Sequence, residues 1–131
     1  AAPPAPTFGT RGDTDGDLKS AVAAFDKGRY AEAERILKNI APDDAAAQRS
    51  VVKYLPYALF YNGKFGEAAE AFVRLKAADR FEAKTAEWYL ALSYANDGRK
   101  AHARAVTAEI VKNDQHPFYA EALALEKRLG R

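Results

Sequence analysis

One pattern limits the folds open to this chain more than any other: a short motif that recurs at a fixed interval. Gly28-Arg29-Tyr30-Ala31-Glu32-Ala33, Gly63-Lys64-Phe65-Gly66-Glu67-Ala68 and Gly98-Arg99-Lys100-Ala101-His102-Ala103 share one order: glycine, base, variable residue, small residue, variable residue, alanine. The glycines lie 35 residues apart, twice over, and three of the four glycines between Leu18 and Leu129 keep that interval. A period of this length marks an array of like supersecondary units, each too small to bury its apolar face alone.

The stretches between the glycines carry helical spacing. Val52, Leu55, Leu59 and Phe60 recur at steps of three and four before Gly63, and Leu90, Ala91 and Tyr94 before Gly98. After the glycines run Ala33, Ile36, Leu37 and Ile40, then Ala68, Ala69, Phe72 and Leu75, then Ala103, Val106 and Ile110. Each unit therefore reads as two amphipathic helices joined at a glycine able to take the left-handed conformation found at helix C-termini. The alanine five residues after each glycine lets the second helix approach the first closely. Expected helices span 18–27, 30–40, 45–62, 65–78, 82–97, 99–113 and 117–129. Asp43 and Asp44, after Pro42, place negative charge at the start of the third, and Pro117 suits the first turn of the last.

The 29 alanines favour helices with closely packed backbones, while Leu, Ile, Val and Phe together number 26. The expected fold is all-α: an α-solenoid of three antiparallel helix pairs at 18–42, 44–79 and 82–114, closed by a capping helix at 117–129. Residues 1–17, with three of the six prolines and Gly9, Gly12 and Gly16, read as a tail or linker. The chain starts without methionine and so reads as cut there, by processing or by choice of the expressed segment. Pro56 inside the third helix removes the bond to the Val52 carbonyl, which predicts a kink or break between them.

With 20 basic and 18 acidic residues the net charge is +2, which argues against nucleic acid as a partner. Cysteine is absent, which excludes disulfides and thiolate chemistry. No apolar run approaches the ~20 residues a membrane helix needs.

The 35-residue period, with glycine, an aromatic two residues on and alanine thereafter, resembles the tetratricopeptide repeat. Leu55, Leu59, Gly63, Phe65, Ala68 and Phe72 carry the resemblance in the second unit; Leu90, Ala91, Tyr94, Gly98 and Ala103 carry it in the third. The first unit keeps Gly28, Tyr30, Ala33 and Leu37 but has Ala24 where a large residue is usual, and Pro56 and Lys100 depart from the pattern. The resemblance covers residues 18–115. The stretch from Glu87 to Leu92, with Asp97-Gly98 and His116-Pro117-Phe118-Tyr119, also resembles repeat domains that follow a membrane anchor in bacterial envelope proteins. That second resemblance implies a periplasmic or envelope-associated location, with the cytoplasm as the alternative.

The family resemblance implies a concave face built from the first helix of each pair. Its positions are Leu18, Val22, Phe25 and Asp26 in the first unit, Lys53, Tyr57, Phe60 and Tyr61 in the second, and Trp88, Leu92 and Asn96 in the third. Tyrosine and tryptophan suit binding, since they offer large contact area and a polar tip at low entropic cost; the same rings also serve to pack neighbouring helices. Positions matching the lysine, asparagine and arginine clamp of the family's peptide binders hold Leu18, Val22, Tyr54, Thr85 and Tyr89, so the clamp is absent. The expected partner is a protein or peptide presenting an extended or helical apolar segment.

Other chemistry is poorly supported. Asp13, Asp15 and Asp17 have the opening spacing of a calcium loop, but Leu18 and Ala24 stand where a glycine and a bidentate acid are needed. Asp17 reads instead as the cap of the first helix. Arg11-Gly12-Asp13 matches a cell-adhesion tripeptide too short to carry weight. His102 and His116 have no ligand set, and Ser20, Ser50 and Ser93 sit within helices rather than on strained turns. No catalytic residue, cofactor or metal is expected. The function expected is a non-enzymatic interaction scaffold. Its alternative is a self-assembling structural module, head to tail or dimeric, which exposed apolar surface on the thinly striped first helix would favour.

Overall fold

The computed structural model describes residues 11–40 and 43–130, and among them every regular element is a helix. In chain order these are α1 (Arg11–Asp26), α2 (Tyr30–Lys38), α3 (Ala45–Tyr61), α4 (Phe65–Ala78), α5 (Ala83–Asn96), α6 (Lys100–Ile110) and α7 (Tyr119–Leu129). The expected helix ends from α2 onward match within three residues, the largest gap being the C-terminus of α6. The chain divides between Asn62 and Gly63 into two compact units, each described by itself.

Among the described residues the three motif glycines are the ones with positive φ, at 77° for Gly28, 80° for Gly63 and 78° for Gly98. The base after each glycine adopts the same conformation three times: φ −89° and ψ 67° at Arg29, −92° and 68° at Lys64, −94° and 68° at Arg99. The Arg29 amide donates to the Ala24 carbonyl at 2.8 Å and the Gly28 amide to Phe25 at 3.0 Å. Arg99 to Tyr94 at 2.9 Å and Gly98 to Ala95 at 3.3 Å repeat the pair. This left-handed turn satisfies the last carbonyls of the helix it ends. The carbonyl of the base then opens the next helix, accepting from Ala33 at 3.0 Å, Ala68 at 2.9 Å and Ala103 at 3.0 Å. All three alanines are wholly buried.

In the first unit α2 packs on both α1 and α3, and α1 and α3 also touch. The core joins Ala21 and Ala24 of α1, Ala33, Ile36 and Leu37 of α2, Ile40, and Ala47, Val51 and Ala58 of α3. Glu34 is buried in α2, where Lys38 Nζ at 2.8 Å and Asn62 Nδ2 at 2.8 Å satisfy its carboxylate. Asp44 caps α3, its Oδ1 accepting the Ala47 amide at 3.1 Å, a role beyond the charge favourable to the helix dipole that the sequence implied.

Two local expectations need revision. Helix α1 begins at Arg11 rather than near Leu18, so Asp17 is a buried residue within it and not its cap. Gly12 and Gly16 each cost about 1 kcal/mol in a helix, which propagation from the helix already formed offsets in part. The helical backbone also removes the loop that a calcium site at Asp13, Asp15 and Asp17 would need. The remainder of the proposed tail, residues 1–10, lies outside the described residues. The break allowed for between Val52 and Pro56 is absent, helix α3 running unbroken through the ring. The ring is among the most deeply buried side chains, and that packing offsets part of the lost hydrogen bond.

In the second unit α4 packs on α5, α5 on α6 and α6 on α7. Phe72 of α4 stacks on Tyr89 of α5 with ring centroids 5.6 Å apart, beside buried Leu75, Leu90 and Ala91. The buried hydroxyls turn back to their own helices, Ser93 Oγ donating to the Tyr89 carbonyl at 2.7 Å and Thr107 Oγ1 to that of Arg104 at 3.0 Å.

Two substitutions check these readings by chemical denaturation. Gly98→Ala forces a β-carbon into the left-handed region and should lower stability by about 1–2 kcal/mol, although the space around that position is open. Pro56→Ala should raise stability by about 1 kcal/mol, because the interior-proline cost of about 3 kcal/mol exceeds the packing and chain-entropy terms lost with the ring. A fall instead would mean that the packing of the ring outweighs the missing bond.

Candidate partner-binding surface

Within the first unit α1 and α3 border an open groove of about 450 Å³. Helix α1 presents Leu18, Lys19, Val22, Ala23 and Asp26 to it, positions that share one face of a 3.6-residue helix. Helix α3 presents Ser50 and Tyr54, four residues apart and so stacked on one side. The opposite face of α1, with Ala21 and Ala24, is buried in the core. Half-buried Leu18 and Val22 give the groove an apolar floor, and Lys19, Asp26, Ser50 and the Tyr54 hydroxyl supply polar groups around it. Tyr54 remains 37% exposed, with Lys53 Nζ 5.8 Å from the centre of its ring, close enough for cation–π attraction.

Of the four positions that the family resemblance implied in the first unit, Leu18, Val22 and Asp26 line this groove and Phe25 does not. It turns into an aromatic cluster at the helix ends, edge-on to Tyr30 at 5.2 Å and to Tyr61 at 5.9 Å. Tyr61 also stacks on Tyr30 at 5.2 Å and meets Phe60 edge-on at 5.2 Å. These contacts hold Tyr61 in place while it stays 44% exposed. Tyr57 is half-buried on α3.

The other candidates belong to the second unit. Trp88 is half-buried and lies parallel to Phe118, centroids 5.8 Å apart and planes 11° from coplanar. Leu92 is half-buried, and exposed Asn96 donates its Nδ2 to the Leu92 carbonyl at 2.8 Å. Trp88 thus contributes to packing around the connection between α6 and α7.

Sequence reasoning missed the roles of Ser50 and Tyr54. Their spacing of four was visible, but Tyr54 was weighed only as a missing clamp residue. It also missed a polar cluster around Glu87. His116 is buried, with Nε2 3.0 Å from Glu87 Oε1, and Lys76 Nζ lies 3.0 Å from Glu87 Oε2. The Phe118 amide donates to His116 Nδ1 at 3.0 Å, which assigns the ring proton to Nε2, donating to Glu87. Both ring nitrogens are therefore engaged within the fold. His102 is exposed, 3.3 Å from Arg99 Nη2. Among the described residues no three metal-binding side chains gather, and no helix is long and apolar enough to cross a membrane.

If Trp88 is a packing residue, Trp88→Ala should lower stability by about 2 kcal/mol, below the cost for a fully buried ring because part of the side chain already meets water. Thermal and urea melts would show it; an unchanged midpoint would return Trp88 to the list of free contact residues. Comparison of the chain with models of known protein families, with curated proteins and with solved structures finds no match.

Proposed function

We propose that this chain is a non-enzymatic protein-interaction module that holds an apolar segment of a protein in the groove between α1 and α3. The observation carrying this reading is the groove itself: leucine and valine floor it, and an exposed tyrosine, a hydroxyl and two charges border it. Apolar floor supplies affinity, while the polar border sets orientation. We also propose a tetratricopeptide-like solenoid of antiparallel helix pairs. Supporting it are the 35-residue period and the three alike glycine turns.

The chemistry of the rest of the chain favours binding over catalysis. The histidine–glutamate pair is committed on both ring nitrogens. Glu109, whose carboxyl is held below its ordinary range by a hydrogen bond and charge from Lys112, is a fully exposed surface acid, not a buried group poised for proton transfer.

The test is an amide-resonance NMR titration with synthetic peptides that carry one aromatic residue between apolar neighbours. Resonances of Leu18, Val22 and Tyr54 should move together. Val22→Glu should weaken binding about 10-fold or more and Tyr54→Ala about 10-fold, with the fold retained. Shifts confined to other faces, or none with any peptide, would overturn the groove reading.

A further inference from the structure

Phe81 is 91% exposed, far more than any other large apolar side chain among the described residues, and it does not stand on a loose loop. Asp79 Oδ1 accepts the amide of Phe81 at 2.9 Å and that of Glu82 at 3.2 Å. The Glu82 amide also reaches the Asp79 carbonyl at 3.2 Å, and α5 starts at the next residue. A phenyl ring held out in water on a locked turn gains from any apolar site that takes it and loses little backbone freedom on capture. Arg80 and Glu82 put opposite charges on its two sides.

The groove of the first unit offers the complement. Lys19 and Asp26 flank its apolar floor seven residues apart on α1, about 10 Å by helical rise, a span that the arginine and glutamate side chains can bridge. Neither has a salt-bridge partner among the described residues. A space of about 450 Å³ admits a phenyl ring with part of the turn that carries it.

Resting on the groove reading above, we propose that the segment it takes is the Phe81 turn of a second copy of this chain. The ring lies on Leu18 and Val22, Arg80 faces Asp26, and Glu82 faces Lys19. Projection and groove are different patches, so the contact is heterologous: every copy offers both, and association builds a ring where the rotation closes and an open chain where it does not. One aromatic turn buries much less than the ~1,200 Å² of a stable interface. The expected dissociation constant is therefore weak, in the upper micromolar to millimolar range.

Sedimentation velocity on the whole chain over a concentration series tests this. The average mass of the parent should rise above 14.3 kDa with concentration. Phe81→Ala should weaken association about 10- to 100-fold, and Asp26→Arg about 10-fold. Combining Asp26→Arg with Arg80→Asp on one chain should restore much of it, which general destabilisation would not do. A mixture of Phe81→Ala, which keeps its groove, with Val22→Glu, which keeps its projection, should form a one-to-one complex that grows no further. A parent that stays monomeric to about 1 mM, a Phe81→Ala variant that associates like the parent, or a charge swap without recovery would each overturn the proposal. The peptide titration separates the two ideas. Groove shifts with a monomeric parent leave the binding reading standing and remove self-capture; no groove shifts remove both.

Discussion

Everything described here depends on one backbone event, a residue with φ near +80° that ends a helix and starts another two residues on. An L-residue with a β-carbon resists that conformation, and this chain meets the demand with glycine at 28, 63 and 98. The turn does more than reverse the chain. Because the next residue repeats its dihedrals each time, the carbonyl that opens the second helix points the same way, and the alanine bonded to it lands in the interior each time. Register is thereby set by contacts within each turn.

That locality explains why the helices were legible and their packing was not. Gly28, Gly63 and Gly98 announce three turns through a property no other residue shares, and Asp44 announces a cap through a hydrogen bond within its own turn. The N-terminal extension of α1 was less legible because it balances opposing terms. Glycine costs act at two positions, whereas propagation from an established helix acts across the whole turn. Pro56 belongs with it: the cost of an interior proline is a local rule, and the burial of its ring is a tertiary fact.

The candidate surface divides along the same line. Leu18, Val22 and Asp26, which the family resemblance put on a binding face, share one side of α1 and line the groove. Phe25, one residue before Asp26, is diverted because Tyr30 and Tyr61 stand within reach of its ring, a meeting of three elements that one-dimensional periodicity does not contain. His116 shows the same limit. Beside Pro117 it reads as a turn residue, and only the fold brings Glu87, 29 positions away, to its ring.

The composition of the interior accounts for where the remaining apolar groups lie. Alanines make up 12 of the 22 hydrophobic residues buried among those described. A methyl group buries little area, so such a core gains stability chiefly by bringing helix backbones close together, with dispersion contacts along the whole seam. Close seams have no room for large rings except where a complete site is formed around one, as for Phe72. The other phenylalanine, tyrosine and tryptophan rings among the described residues stay half-buried or exposed, toward the margins. Some pair with one another there, as Tyr30 with Tyr61 and Trp88 with Phe118. Tyr54 and Phe81 keep substantial exposed surface. The small side chains that let the helices close up thus leave apolar surface outside the core, and an apolar floor beside charged rims is where a second protein surface gains most by covering it.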